Sequence, residues 1–189
     1  MTLRTPTSDS ARARCRRAGL LGLTAAAALA LGCASPARPL GMKPDLVGHF
    51  APEPAGTVNI EVSGGQETFP MGRSKISNRG FTEALAAALE DSGLLYTVVD
   101  RAGDYQIDVH IQELQQPHFA WTMAVRLVTS WSVRRSGERE PIWTETIETL
   151  HGEPFPVEFW GIKRLRLANE GAARSNIEKA IVELAHHLD

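Results

Sequence analysis

Cysteine is scarce: the 189 residues hold two, Cys15 and Cys33. Two thiols in the first 33 positions leave nothing for a disulfide framework, so a core must hold any folded part together. Strong charge of one sign is also missing. The formal net charge is −2, which gives no bulk electrostatic reason to bind nucleic acid. No apolar run reaches the ~20 residues of a spanning helix; the longest uncharged apolar stretch is residues 19–31. Neither a Gly-x-Ser-x-Gly elbow nor a Gly-Lys-Ser/Thr phosphate loop occurs. What is present is a 43% hydrophobic content, enough to exclude wholesale disorder.

The start has the layout of an export signal. Arg4, Arg12, Arg14, Arg16 and Arg17 precede the apolar stretch, whose length fits the h-region of a signal peptide. That stretch runs into Ala30-Leu31-Gly32-Cys33, which resembles a bacterial lipobox. The resemblance implies cleavage between Gly32 and Cys33 and a diacylglyceryl thioether on Cys33. A single acyl chain binds membranes only reversibly, whereas two or three anchor stably. Ala34, rather than Asp, follows the cysteine. By the enterobacterial sorting pattern this implies the periplasmic face of the outer membrane, with the inner membrane as the alternative. Loss of residues 1–32 removes five Arg and Asp9, leaving 15 basic and 21 acidic side chains. An acidic domain is repelled by anionic lipid, so the lipid on Cys33 does the holding.

Three segments are therefore expected: a signal peptide over 1–32, the modified cysteine with a Pro-rich tether over 33–56, and a periplasmic domain over 57–189. The tether expectation rests on Pro36, Pro39, Pro44, Pro52 and Pro54, which oppose both helix and central strand. A packed stretch within it, near Leu46 to Phe50, is the alternative. In the domain, Val58, Ile60 and Val62 alternate as a strand. Ser77 or Asn78 caps a helix over 81–91, which Gly93 stops. Strands are expected at 96–99, from Tyr105 to Gln112, at 122–133 and at 142–150, and a last helix over 164–188. Trp121, Trp131 and Trp143 are expected to pack on the sheet, and Glu170 and Arg174 to form a surface i, i+4 pair. The order β-α-β-β-β-β-α predicts an α+β two-layer sandwich, a mainly antiparallel sheet of about five strands with two helices on one face. The opposite face carries Asp108, His110 and Gln112 and is expected to be wetter.

The Ala/Leu-rich helix from Phe81 to Glu90, Gly93-Leu94, the strand start Asp104-Tyr105 and the segment Ser130-Trp131-Ser132-Val133 carry a resemblance. With the lipobox, they resemble auxiliary lipoproteins of ABC-type transport systems over about residues 57–189. The resemblance implies a lipid-anchored accessory subunit of an envelope transport or assembly complex, with an envelope protein as partner. The same topology also occurs in lipoproteins that activate cell-wall synthases. A carrier of a lipid or small apolar ligand, held between helices and sheet, is the alternative from another class.

Candidate chemistry is thin. Asp108 and His110 share a strand face but have no further metal ligand at a diagnostic spacing. His186 and His187 sit in a last helical turn, where the helix dipole favours imidazolium. The loop from Gly64 to Ser74 reads as polar surface, with Arg73 and Lys75 available to an acidic partner or phosphate. The chain is read as a non-enzyme with no cofactor and no metal. Phe155, Phe159 and Trp160, set among prolines, are the candidate partner contact. Folding back to cover the core is their simpler role.

Overall fold

A computed structural model describes residues 34–46, 50, 56–97, 103–117, 121–155, 158 and 160–188. Residues 1–33, which hold Gly32 and Cys33, fall outside that set, as does Phe159. Ala34–Asp189 forms one compact unit. Its elements are α1 (Pro39–Met42), β1 (Thr57–Ser63), α2 (Asn78–Ser92), β2 (Tyr96–Thr97), β3 (Tyr105–Gln115), β4 (Thr122–Arg135), β5 (Trp143–Pro154) and α3 (Gly161–Leu188).

The fold is the expected α+β sandwich, with five strands in the order β2-β1-β3-β4-β5. The meander covers β3 to β5, which pair antiparallel through long registers such as Val109↔Trp131 and Thr129↔Ile147. β1 instead pairs parallel with both its neighbours. It lies between them because α2 carries the chain back to the end of the sheet where β1 began, the connection a parallel pair requires. Asp104 pins the start of β1: its carboxylate accepts from the Thr57 amide at 2.8 Å and the Thr57 hydroxyl at 2.7 Å.

Local chemistry explains the helix ends. The Ser77 hydroxyl accepts from the Gly80 amide at 3.1 Å, and Gly93 closes α2 in the left-handed region at φ 77°. Both helices cover the sheet face that carries Ile107, Val109, Leu127, Trp131, Val133 and Ile147. Phe81 of α2 lies 6.1 Å from Trp131, and Trp131 lies 6.4 Å from Trp143. A polar knot is buried with them. Thr129 donates to Asn176 Oδ1 at 2.7 Å and accepts from Trp131 Nε1 at 2.8 Å, while Asn176 donates to the Ile147 carbonyl at 3.1 Å. Each group is satisfied, which is what makes its burial tolerable.

The tether expectation is corrected over its first half. Residues 34–46 lie along the helix layer, tied to both α2 and α3. Ala37, Met42 and Leu46 are buried in the common core. Arg166, Glu170 and Arg174 follow one another at turn spacing on α3, and each grips this strip. Arg166 donates to Ser35 Oγ at 3.3 Å, the Glu170 carboxylate accepts from the Arg38 amide at 3.0 Å, and Arg174 donates to the Gly41 carbonyl at 2.6 and 3.0 Å. Lys43 pairs with Asp91 at the far end of α2, and the Phe50 amide reaches the Ser92 carbonyl at 3.2 Å. The expected surface pair is corrected with it: Glu170 is 5% exposed and pairs with Arg166, not Arg174. A Cβ on Gly41 would sit 2.4 Å from the Glu170 carboxylate, so a larger residue there would have to displace that side chain. The prolines do not oppose this path, because Pro39 occupies the first turn of α1, where its missing amide costs nothing.

Truncating a buried methionine removes its transfer free energy and leaves a cavity, about 2–4 kcal/mol in well-packed sites. Met42→Ala is expected to lower the unfolding free energy of a chain beginning at Ala34 by about that much. Leu40→Ala, at an exposed position of the same helix, is expected to stay within about 0.5 kcal/mol. Urea unfolding followed by circular dichroism measures both. Equal effects would show that residues 34–46 do not belong to the core.

Candidate functional site

The strand pleat sends alternate side chains to the uncovered face of the sheet. The registers Glu61↔Asp108, Ser63↔His110, Asp108↔Ser132 and His110↔Ser130 set those residues side by side. Together with Arg134 they line an open depression of about 410 Å³. Asp108 and His110 thus share a site, on the face expected to be wetter.

They do not act on each other there. The Ser63 hydroxyl lies 2.9 Å from His110 Nδ1. Asp108 instead accepts from Gln106 Nε2 at 3.0 Å and pairs with Arg134 at 2.9 Å. The carboxylate that would orient the imidazole in a nucleophilic triad is therefore engaged elsewhere. Among the described residues, no three His, Cys, Asp or Glu side chains are grouped to hold a metal ion.

Further along the same face, Arg126 bridges two carboxylates. It grips Glu148 through two bonds of 2.5 and 2.7 Å and Glu113 through one of 2.6 Å. The hydrogen bonds from Arg126 hold the Glu148 carboxyl below the ordinary range, against a smaller opposing effect of burial. The Thr57 amide and hydroxyl do the same to Asp104. This face is polar, with its charges largely paired among themselves.

A second group lies at the end of the sheet where β3 and β5 finish and β4 and α3 begin. Phe155 stacks on Trp121 with ring centroids 4.9 Å apart, and the Arg164 guanidinium sits 5.1 Å from the centre of the Phe155 ring. Arg164 also donates to the Trp121 carbonyl at 3.0 Å. A cation over an aromatic ring is a specific attraction, and it ties Arg164 of α3 to Phe155. Of the three aromatics proposed as a contact, Phe155 is thus half-buried against Trp121, Trp160 is largely exposed, and Phe159 lies outside the described residues.

Trp131 and Trp143 are buried as expected, whereas Trp121 is corrected: it is 77% exposed. It has the alternation parity of the core face but stands beyond the end of the strand, where no helix covers it. The loop after β1, read as simply polar, also carries exposed apolar side chains, Phe69 and Met71. The triplet Phe69-Pro70-Met71 was the signal that a polar-loop reading passes over. Arg73 of that loop turns inward to the Pro117 carbonyl. At the far end of the sheet, His187 packs 6.2 Å from Trp143.

No family model matches the chain, and no curated protein matches it. Solved structures do. Protein XCC0632 of Xanthomonas campestris, of family DUF330, aligns at a TM-score of 0.55 with 10% identity, over 77% of this chain and 91% of that one. Hypothetical protein CT253 of Chlamydia trachomatis aligns at 0.52 with 11% identity, over 70% and 97%. A minor lipoprotein of Acinetobacter baumannii aligns at only 0.46 with 8% identity, over 69% and 92%. The first two establish a shared fold across nearly the whole of those chains.

Arg126→Met is expected to return Glu148 to the ordinary carboxylate range, read by carboxyl-carbon NMR titration. A carboxylate depressed on folding stabilises the fold above its unfolded value, near pH 4, and that contribution disappears as pH falls through the depressed value. Acid unfolding of the variant should therefore begin at higher pH than that of the parent chain. An unchanged Glu148 titration would show that the bridge does not form in solution.

Proposed function

We propose that this chain is a lipid-anchored protein of the bacterial envelope that works by binding, as an accessory subunit of a transport or assembly complex. The lipid sits on Cys33, and the compartment is the periplasmic face of the outer membrane. Among the described residues no helix is long and apolar enough to cross a membrane, so attachment falls to the lipid.

The observation that carries the binding role is the one-sidedness of the domain. Both α2 and α3 and the 34–46 strip lie on one face of the sheet, and among the described residues no helix covers the other face over β1, β3, β4 and β5. Catalysis there lacks an oriented base, because Asp108 belongs to Arg134 rather than to His110. The carrier reading finds less support. The layer between helices and sheet is occupied by Phe81, Leu85, Leu89, Trp131, Ile177 and Ile181. The β5 edge is partly covered as well. Its Glu148 carbonyl accepts from Lys179 at 3.4 Å. Edge coverage of this kind discourages unspecific strand addition, which leaves the open face as the better docking surface.

Photo-crosslinking in cells from position 110 or 132 is expected to capture an envelope membrane protein, and Cys33→Ala should abolish the capture. A crosslinker at exposed Glu90 on α2 should capture less. Transport components would favour the auxiliary-subunit form of the reading, and cell-wall synthesis components the activator form. Recovery of lipid alone, from either position, would overturn both in favour of the carrier.

A further inference from the structure

We propose that the end of the sheet holding Phe69, Met71 and Trp121 is seated directly in the phospholipid surface, so that the domain stands on the membrane instead of hanging from it. The proposal rests on acylation of Cys33, the reading given above.

The hydrogen bond of Ala34 bounds how far the attachment point of an acylated chain can lie from this end. The Ala34 amide donates to the Pro70 carbonyl at 2.8 Å. Cys33 is one peptide bond earlier, and consecutive Cα atoms are about 3.8 Å apart. The attachment point of acyl chains on Cys33 would therefore lie within about one residue's length of the Ala34–Pro70 contact. The residues flanking that proline are the most exposed large apolar side chains of the loop: Phe69 is 74% exposed and Met71 100%. The Gly72 amide closes a tight turn onto the Phe69 carbonyl at 2.8 Å, holding both side chains at its tip.

This loop is fixed to the domain. Its neck is closed by the Gln66 amide on the Ile76 carbonyl at 2.9 Å and the Lys75 amide on Thr68 Oγ1 at 2.8 Å. Behind it, Gln116 donates to the Ser74 carbonyl at 2.7 Å and to Asn169 at 2.8 Å, and Asn169 donates to the same carbonyl at 3.0 Å. Loop, β3 and α3 thus move as one body. Trp121 projects at the same end, on the β4 side.

The charges at this end are already partnered: Arg73 turns to the Pro117 carbonyl, Arg166 to Ser35 and Glu170, and Lys163 lies 3.9 Å from Glu158. The seat therefore rests on the aromatic and apolar tips, which fit the headgroup boundary of a bilayer. The seat also sets orientation. β4 is 14 residues long, so the β4–β5 hairpin lies roughly 45 Å from the loop end, and the open sheet face is presented sideways.

The test uses the full chain, purified from cell membranes and reconstituted in vesicles of phosphatidylethanolamine and phosphatidylglycerol. No thiol lies beyond Cys33, so single substitutions Phe69→Cys, Met71→Cys and Glu138→Cys accept a polarity-sensitive thiol probe without a background. All three sites are exposed, so folding is not at issue. Probes at 69 and 71 are expected to shift to the blue and to be quenched by aqueous iodide at least fivefold less than the probe at 138. Equal quenching at all three sites overturns the seat. Intact mass of the purified chain separates the two ideas. A chain of unmodified mass overturns the acylation reading and the seat together, whereas an acylated chain with water-exposed probes overturns the seat alone.

Discussion

The buried carboxylate of Glu170 is the point on which the arrangement turns. An ionised group removed from water is tolerated only with partners that replace hydration. Glu170 has the Arg38 amide at 3.0 Å and the Arg166 guanidinium at 3.5 Å, and Gly41 passes directly over it. Those partners come from opposite ends of the chain. Holding Glu170 therefore means holding the 34–46 strip on α3, and with it the strip that places Ala37 and Met42 in the core. A domain that otherwise would begin at β1 begins at Ala34.

That constraint determines what an anchor on Cys33 would do. With a flexible linker of twenty residues, an acyl group restricts distance and leaves orientation undefined. With residues 34–46 folded onto the helix layer, the same acyl group would bring one end of the sheet toward the bilayer. The loop from Gly64 to Ser77 would then be more than a generic connection, because its Pro70 carbonyl receives the first amide after the cysteine.

Much of the sheet and helix layout was legible because each element carries its own periodic signal. Tyr105, Ile107, Val109 and Ile111 alternate without a break, and Ser77 and Gly93 bracket α2 as capping chemistry requires. What escaped was tertiary. Ala37, Met42 and Leu46 follow no period of 2 or 3.6 and sit among prolines, so nothing local marks them as core. Glu170 and Arg174 have the spacing of a solvated pair, and only a segment some 130 residues distant buries Glu170 and gives Arg174 the Gly41 carbonyl to hold. The parallel placement of β1 was equally hidden, since strand order depends on which neighbour α2 delivers and not on the strand's own residues. At the candidate site, alternation correctly put Asp108 and His110 on one open face. It could not say that Arg134, from the neighbouring strand, would take Asp108 away from His110.

The last point bears on the difference between binding and chemistry. A histidine becomes a strong general base when a carboxylate fixes its tautomer and stabilises the imidazolium that forms. Here the imidazole faces Ser63, while the nearest strand-mate carboxylate is paired with Arg134. The arrangement is stable as it stands, with each ion compensated by a neighbour on the same face. A partner that approaches can exchange those ion pairs for its own at little net change in electrostatic energy, because the charges remain hydrated at the surface. Such a face is suited to docking by charge pattern, the role proposed for it above.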